Sequence, residues 1–274
     1  GTLNNDDWNT IKSMTNLIEV DMSGVTMSSM PANAFDGRWA IESIKLPHNV
    51  TSIGNYALRG TGIKEITLPE SITTLGAYAF NNCDSLRTIS IPETISTIPS
   101  YCFNDCNNLW KVELPSALTS INQYAFNNCN ALSEVTLPSS LTSIGSYAFR
   151  YCPIKTIEIP AGITAINNYS FADNSALDSL FIPETVTTIN SNAFYNCTSL
   201  KNVKFSEGLV NLYSYAFDNC KRLTEIVLPS SLEKCEGAPF YGCSGVKKVE
   251  ARSVIPPTTS GSCPLSNVTL NDVV

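Results

Sequence analysis

The sequence repeats a small residue followed by phenylalanine at intervals of 22 or 23 residues. The ten positions, one of which holds leucine, are Phe35, Leu58, Phe80, Phe103, Phe126, Phe149, Phe171, Phe194, Phe217 and Phe240. A fixed period in the twenties is typical of a solenoid, in which each repeat forms one coil that stacks on the next. Because a single coil cannot bury its apolar side, most regular residues must serve stacking. We therefore expect functional residues where the pattern is broken.

A second series of apolar residues runs in phase with the first and predicts one strand in each coil. The series begins at Leu17, Ile41, Ile63, Leu86, Leu109, Leu132, Ile154, Leu177, Leu200, Leu223 and Val246. Each begins a segment of the form apolar-x-x-apolar-x-apolar, and such alternation indicates a half-buried strand. A proline usually follows and ends the strand, since proline cannot donate to a sheet. We expect about 12 parallel strands.

A shorter apolar block follows each proline, as in the segment 141–145. It predicts a second short strand or an extended turn. The residues that lead into phenylalanine are too few for a stable helix, so we expect a single 3₁₀-like turn that inserts the phenylalanine. The tyrosines two residues before several of the phenylalanines, such as Tyr78 and Tyr101, are expected to pack half-buried at this corner rather than to form a cofactor or sugar site.

The unit Leu137-Pro-Ser-Ser-Leu-Thr-Ser-Ile-Gly-Ser-Tyr-Ala-Phe149-Arg-Tyr-Cys152 resembles the BspA-like class of leucine-rich repeats. The resemblance extends over residues 17–250. This class occurs in surface proteins of Bacteroides, spirochaetes and some protists, and it implies an extracellular or surface-anchored protein that adheres to or recognises macromolecules. Together with the period, it predicts a right-handed, β-rich leucine-rich-repeat solenoid of about 11 to 12 coils with a parallel main sheet.

Three regions follow from these patterns. Residues 1–16 form an N-terminal cap, residues 17–250 the leucine-rich repeats, and residues 251–274 a degenerate last repeat or C-terminal cap. A solenoid needs such caps because its end coils would otherwise expose apolar faces and open strand edges. In the N-terminal cap, Asp6 or Asp7 is expected to N-cap a short helix that includes Trp8. We expect this helix to lie over the first coil.

Composition and charge narrow the possible partners. The formal net charge is −7, and lysine and arginine never form a block longer than two residues. Nucleic acid and anionic membrane surfaces are therefore unfavourable partners. No apolar run reaches the roughly 18 residues of a transmembrane helix. Gly1 stands where a start methionine would, so we expect that a leader or anchor segment has been removed. The resemblance implies that the protein is extracellular or cell-surface anchored, and we expect a monomer.

The ten cysteines invite a disulfide or zinc interpretation. Seven lie three residues after a phenylalanine, at Cys83, Cys106, Cys129, Cys152, Cys197, Cys220 and Cys243. In a stacked ladder their Cβ vectors run parallel, whereas a disulfide needs converging Cβ atoms. We expect free, buried thiols, with bonding between neighbours and metal binding as the lesser alternatives. Cys263, outside the repeats, is the thiol expected to react.

No catalytic centre is evident. The single histidine, His48, follows a proline in a turn and has no assignable nucleophile or orienting partner. One histidine also leaves the spacing of Cys102 and Cys106 without the further ligands of a zinc site. The acidic residues are scattered over outward positions. We expect no enzyme activity, no catalytic residue, no metal site and no cofactor.

One outward position in each strand offers the best functional clue. It lies between the second and third apolar residues and is occupied by Asp21, Lys45, Thr67, Ser90, Glu113, Thr136, Glu158, Phe181, Lys204, Val227 and Glu250. Phe181 and Val227 break an otherwise polar row, and Trp110 occupies another outward or flanking position. Exposed aromatic residues on a polar face mark recognition in many interfaces, although single apolar residues are also common on surfaces. The candidate ligand contacts are Trp110, Phe181, Val227 and Lys204.

These observations favour a non-catalytic recognition or adhesion module that binds a protein or glycan of a host or a neighbouring microbe through its repeat surface. The alternative is a structural stalk or spacer that presents another domain. An enzyme would require a cluster of acid, base or metal-ligating groups that the sequence does not show.

Overall fold

A computed structural model describes residues 1–252, in two units that divide after Pro138. Both units are parallel β-solenoids, with about 10 turns in all against the 11 to 12 predicted. Each regular coil contributes one strand to a main sheet and a two-residue strand to a second sheet. The predicted solenoid class is confirmed. The boundaries at residues 16 and 250 stay predictions, and nearly all of the proposed C-terminal cap, with Cys263, lies outside the described residues.

The first unit begins with helix α1, Asn5–Ser13. Its main-sheet strands are β1 Glu19–Asp21, β3 Ser43–Lys45, β6 Thr88–Ser90 and β8 Lys111–Glu113. Its short strands are β2 Ser29–Met30, β4 Ser52–Ile53, β5 Thr74–Leu75, β7 Thr97–Ile98 and β9 Ser120–Ile121. Strands β1 and β3, and likewise β6 and β8, pair in parallel with the apolar central residues in register. The inward side chains therefore stack along the unit.

The second unit has the same plan. Its main-sheet strands are β12 Ser179–Ile182, β14 Asn202–Phe205, β16 Glu225–Leu228 and β18 Lys248–Ala251. Its short strands are β10 Ser143–Ile144, β11 Ala165–Ile166, β13 Thr188–Ile189, β15 Asn211–Leu212 and β17 Lys234–Cys235. Strands β12 and β14 pair in parallel, as do β16 and β18, while β11, β13, β15 and β17 form a four-stranded parallel sheet.

The N-terminal helix covers the first coil as predicted, but its N-cap is not an aspartate. The side chain of Asn4 accepts hydrogen bonds from the backbone of Asp6 at 2.7 Å and Asp7 at 3.0 Å, and the Asp7 carboxylate accepts one from the backbone of Asn4. The expectation of Asp6 or Asp7 as the cap is therefore wrong, because Asn4 is the extended residue in reach of the free amides. Trp8 is buried, and its ring meets that of Phe35 edge-on at 5.8 Å between centroids.

The core of each unit is a stack of phenylalanine rings. Parallel rings lie 5.2 Å apart between Phe80 and Phe103 and again between Phe103 and Phe126. In the second unit the spacing is 5.1 Å to 5.7 Å along Phe149, Phe171, Phe194, Phe217 and Phe240. These offset stacks add attraction to the burial of the rings. Every core ring is thus packed by its neighbours in adjoining coils.

The cysteines beside these rings are free and buried at all nine described positions, which confirms the prediction for them. They also act as donors. Cys106 Sγ donates to the carbonyl oxygen of Phe80 and Cys129 Sγ to that of Phe103, each at 3.1 Å. The same carbonyls also accept from the backbone amide three residues later, as Phe80 does from Cys83, so each thiol adds a second bond that joins its coil to the preceding one.

Asn174 takes the cysteine position in one coil and makes a similar bond to the preceding coil. Its Nδ2 donates to the carbonyl oxygens of Phe149 at 2.7 Å and Phe171 at 3.0 Å. Thr61 takes this position in an earlier coil, and its hydroxyl donates to the carbonyl of Leu58 at 2.9 Å. What the three residue types share is a short side chain with a hydrogen-bond donor.

The corner before each phenylalanine differs from the 3₁₀-like turn that was predicted. Its hydrogen bonds do join residues three apart, as from the amide of Ala57 to the carbonyl of Gly54. However, Tyr78 and Tyr101 have φ values of 60° and 58°, in the left-handed region that interrupts a 3₁₀ helix. Their half-buried rings stack face to face at 4.5 Å. Stacking of this kind offsets the cost of the left-handed backbone.

Three of the eleven predicted main-sheet strands do not form. The segments 63–68 and 154–159 have no strand, and 132–137 has an isolated bridge between Lys111 and Glu134. The predicted twelfth strand lies outside the described residues. Two of the three missing strands fall in the 22-residue intervals, where only five positions separate Leu58 from Ile63 and Phe149 from Ile154, against six between Phe80 and Leu86. The shorter connection moves the segment out of hydrogen-bonding alignment.

Gly62 lies in the first of these shortened connections. A Cβ atom there would lie well inside van der Waals contact with the backbone oxygen of Trp39. We expect Gly62→Ala to destabilise the first unit by about 1–3 kcal/mol, because backbone must shift to admit the methyl group. Urea unfolding followed by circular dichroism measures this. Gly24→Ala is the matched control, since its Cβ would meet nothing within 4 Å; equal stability of the two variants would contradict the close approach.

The buried thiols predict a loss of stability in alkaline solution. Burial raises the pKa of Cys83 to about 12 and raises the pKa of Cys102, Cys106 and Cys197 as well. In the unfolded chain a thiol ionises near pH 8.5, so above that pH the unfolded state binds fewer protons than the native state. The unfolding free energy should then fall by up to about 1.4 kcal/mol per pH unit for each thiol.

Urea unfolding under reducing conditions at about pH 7 and about pH 9.5, either side of the thiol pKa, tests this. The variant Cys106→Ala serves as the control. Because it lacks one buried thiol, its unfolding free energy should fall less steeply with pH than that of the wild type. A wild-type stability that is the same at both pH values would show that the thiols are not held neutral by the fold.

Candidate binding surface

The outward face of the main sheet contains the candidate contacts. The predicted outward residues are exposed or half-buried, and the alternate residues of each strand point into the core, as in Ser179–Ile182, where Leu180 and Ile182 are buried. The row therefore lies on the solvent side of the sheet, as the sequence predicted. The type of side chain differs from strand to strand along the row, because none of these side chains packs in the core.

Phe181 and Lys204 lie together on the face of the second unit. They are paired in register on β12 and β14. The Phe181 side chain is 51% exposed, and the Lys204 ammonium lies 5.7 Å from the centre of its ring. This cation–π contact attaches a positive charge to an apolar surface. Val227 follows on β16, which packs beside β14, and is half-buried. The structure thus brings three of the four predicted contacts onto consecutive strands.

Trp110 belongs to the first unit. It lies immediately before β8 and is 41% exposed. Its backbone amide donates to the carbonyl of Arg87, and its carbonyl accepts from the amide of Ser133. Both main-chain groups therefore tie Trp110 to adjacent coils, so the backbone that carries the indole is fixed by its neighbours rather than lying in a loose loop.

The most exposed tryptophan lies outside the strand pattern and was not predicted as a contact. Trp39 is 81% exposed and lies four residues after Phe35. Other coils hold Asp84 and Asn107 at the equivalent position, so a comparison of polar positions outside the strands would have identified it. Tyr241, at 51% exposure, is a further exposed aromatic residue that was not predicted.

His48 occupies an exposed turn, as expected. Its backbone carbonyl accepts a hydrogen bond from Ser71 at 2.9 Å. Among residues 1–252, no group of three or more histidine, cysteine, aspartate or glutamate side chains is placed to hold a metal ion. Within the same residues, α1 is too short to cross a membrane and is the longest helical segment, so no membrane-spanning helix is found.

The family of the chain follows from its repeats. A model of the BspA type leucine-rich repeat region, with six copies, matches residues 28–153, 97–192 and 164–274. The chain belongs to the BspA-type leucine-rich repeat family. This confirms the resemblance seen in the sequence. A search of curated protein sequences returned no match.

Solved structures of other leucine-rich repeat proteins resemble this BspA-type chain. A leucine-rich repeat protein from Bacteroides ovatus ATCC 8483 is 28% identical, with a TM-score of 0.69 over 84% of this chain and 67% of that one. The pneumococcal vaccine antigen PcpA is 21% identical, with a TM-score of 0.60 over 83% and 68%. A leucine-rich repeat protein from Eubacterium ventriosum ATCC 27560 is 20% identical, with a TM-score of 0.55 over 88% and 86%. The last two likenesses establish the fold alone.

Most charged side chains of the BspA-type coils interact with residues that lie close to them in the same or an adjoining coil. On the main-sheet face, hydrogen bonds from Ser23, supported by Lys45, lower the pKa of Asp21 to about 2. At the corner of the second unit, Arg150 lies over Tyr151 at 4.5 Å, and its Nε donates to Asp173 Oδ2 at 2.9 Å. The guanidinium of Arg150 is thus paired with corner residues of its own and the next coil, and we assign it a structural role.

The carboxylate of Asp218 is not fully paired in this way. It is buried beside Phe217, its Oδ1 is without a hydrogen-bond partner among the described residues, and burial raises its pKa. Three other coils hold asparagine here, and Asn127 Nδ2 donates to Asn104 Oδ1 at 2.8 Å. The Asp218 carboxylate accepts from the backbone amide of Asn219 but has one buried oxygen without a partner, and this costs stability when the group is ionised.

We expect Asp218→Asn to stabilise the second unit by about 1 kcal/mol at neutral pH. Because the native pKa is raised, the wild-type penalty is full above that pKa and disappears as the pH falls below the unfolded value near 4. The variant should therefore lose its advantage in acid. Thermal unfolding across this pH range measures it, with Glu184→Gln, at an exposed carboxylate of the same unit, as control. A variant that is less stable than wild type at neutral pH would show that the fold favours the ionised carboxylate at this position.

Proposed function

We propose that this protein is a non-catalytic recognition or adhesion module, extracellular or surface-anchored and monomeric, that binds a protein or glycan through the outward face of its main sheet. The observation that carries the proposal is the pairing of exposed Phe181 with Lys204 on adjacent strands. Membership of the BspA-type family supports a repeat scaffold whose surface varies while its core is constant.

The geometry of this face suits recognition of a broad surface. A half-exposed aromatic ring offers apolar contact area at little cost in conformational entropy, and the lysine beside it adds a charge that can select a partner. Hydroxyl and amide side chains surround them, as at Ser179 and Asn202. An aromatic ring among such groups can contact either an apolar protein side chain or the face of a sugar, so both ligand classes enter the test.

The rigidity of the strands also favours recognition. Phe181 and Lys204 lie in a four-residue pairing, so their separation is fixed by backbone hydrogen bonds before a partner arrives. Preorganised contacts of this kind reduce the entropy lost on binding. Trp110 offers a second aromatic contact on the first unit, which is tested separately from the Phe181 face.

The experiment is a binding screen of the purified protein against extracellular-matrix proteins and a glycan array, followed by titration of the best ligand. We expect Phe181→Ala to weaken binding by about tenfold or more, as for an interface hot spot, with Trp110→Ala measured in parallel. Ser179→Ala is the matched control, because it alters an exposed residue on the same strand and face. Its effect should be small.

Unchanged circular dichroism is expected for all three variants, since each side chain is exposed or flanks the strand. If the wild type binds a ligand and neither aromatic substitution weakens it, the aromatic face is not the contact surface. If a folded, monodisperse wild type binds nothing in the screen, the recognition proposal fails.

A further inference from the structure

One coil of the second unit carries a basic pair in the turn that leads into its main-sheet strand. Lys221 and Arg222 stand immediately before Leu223, whereas the two adjoining coils hold only threonine, serine and glycine at the same places, 198–199 and 244–245. Both basic residues are exposed, and neither side chain has an ion pair or a hydrogen bond in the described part of the chain. The short neighbours leave both cations open to solvent, at a break in the repeat pattern.

Two lysines lie beside this pair. Lys201, Thr224 and Lys247 occupy the same position in three consecutive coils, immediately before β14, β16 and β18. The amide of Thr224 donates to the carbonyl of Lys201, and the amide of Lys247 donates to that of Thr224. Because neighbouring strands lie about 4.8 Å apart, the backbones of the two lysines are about 10 Å apart with the exposed threonine between them. We call Lys201, Lys221, Arg222 and Lys247 the basic edge.

The free charge of the basic edge is positive. The ammonium of Lys201 is paired with Asp178 at 2.5 Å, while the other three cations have no ion pair among residues 1–252. The carboxylates of the strands that follow, Glu225 and Glu250, both pair with Lys248 instead. Because the whole chain has a formal net charge of −7, attraction of an anion depends on this local cluster.

The residues around the basic edge favour a ligand that is polar throughout. Arginine and lysine bind carboxylate and sulfate groups through charge-assisted hydrogen bonds. Thr198, Ser199, Thr224 and Ser244 lie beside or between the cations, and their hydroxyls can donate to and accept from the hydroxyls of a sugar. Leu223, the apolar residue of the segment, is buried. A protein partner would therefore find no apolar anchor of the kind that dominates protein interfaces.

The spacing of the cations across the coils favours a polysaccharide over other polyanions. Side chains on one face of an extended peptide repeat at about 7 Å, and phosphates follow one another about every 3.4 Å along each strand of a nucleic-acid duplex. Lys201 and Lys247 are farther apart, at about 10 Å. In an acidic polysaccharide, whole sugar rings separate the charged groups. A hydroxyl-rich ring can thus lie over Thr224 while the charged groups on either side meet the cations.

We propose that the basic edge binds an acidic polysaccharide, whose carboxylate or sulfate groups meet Lys221, Arg222 and Lys247 and whose hydroxyls meet Thr224. The inference rests on the proposed recognition function and names a ligand class for it. The basic edge includes none of the four candidate contacts. A ligand that binds through the aromatic face alone would therefore overturn this inference and leave the proposed function standing, whereas a screen without any ligand would overturn both.

The probe is a fluorescein-labelled chondroitin sulfate oligosaccharide, titrated by fluorescence anisotropy. We expect Arg222→Gln/Lys247→Gln to weaken its binding by about tenfold, which corresponds to the loss of two exposed ion pairs. The matched control is Lys12→Gln/Arg87→Gln, which removes one exposed lysine and one exposed arginine from the first unit. It makes the same change in net charge and should change binding by less than about twofold. Circular dichroism should be unchanged in both.

Competition experiments test the class of ligand. Added sodium chloride should weaken binding, since exposed charges are screened by salt. Unlabelled chondroitin sulfate should displace the probe, whereas neutral dextran should not, and poly-glutamate and single-stranded DNA should do so only weakly at equal charge concentration. The proposal is overturned if chondroitin sulfate does not bind or if the two double variants weaken binding equally. It is also overturned if dextran, poly-glutamate or single-stranded DNA competes as well as chondroitin sulfate.

Discussion

The structure depends on the stacking of each coil on its neighbours, to which most thiols of the cysteine ladder add a hydrogen bond to the carbonyl of the core residue one coil earlier. That carbonyl also accepts from an amide of its own coil, as Phe80 does from Cys83, so the thiol is its second donor. A thiol or an amide in this place reaches the preceding coil, as in Cys106 and Asn174, whereas the hydroxyl of Thr61 donates to Leu58 of its own coil. Since each coil completes its neighbour, stability resides in the contacts between coils. The first coil lacks a preceding coil, and Trp8 instead covers the ring of its phenylalanine, Phe35.

Much of this core could be predicted from the sequence, because a constant period requires the same side chain at the same place in every coil. The local backbone could not. Asn4, Asp6 and Asp7 are all suitable caps by residue type, and only the extended conformation of Asn4 decides among them. Likewise, Tyr78 has a side chain typical of corner packing, but nothing in its chemistry indicates a φ of 60°. The left-handed corner becomes understandable only once the stacked rings are seen.

The surface was less predictable than the core for a related reason. The 22-residue intervals are visible in the sequence, yet their effect is a loss of hydrogen-bond alignment, which depends on the neighbouring strand as much as on the short coil itself. Ile63 and Ile154 keep their buried places despite the shortening. The apolar pattern is therefore intact in both coils, and it predicts a strand that does not form. Phe181 and Val227 could be found from the strand pattern, whereas Trp39 lies outside it.

The outward residues are free of the demands that fix the core. The stack of Phe171 on Phe194 is the same whether a strand exposes serine or phenylalanine above it. The ring of Phe181 is half-exposed and so gains little from folding, while it presents apolar surface to water. The break in the main sheet at residues 65–68 also sacrifices hydrogen bonds that regular coils keep. Neither feature helps the solenoid to fold, and each creates a surface that a polar, regular sheet lacks.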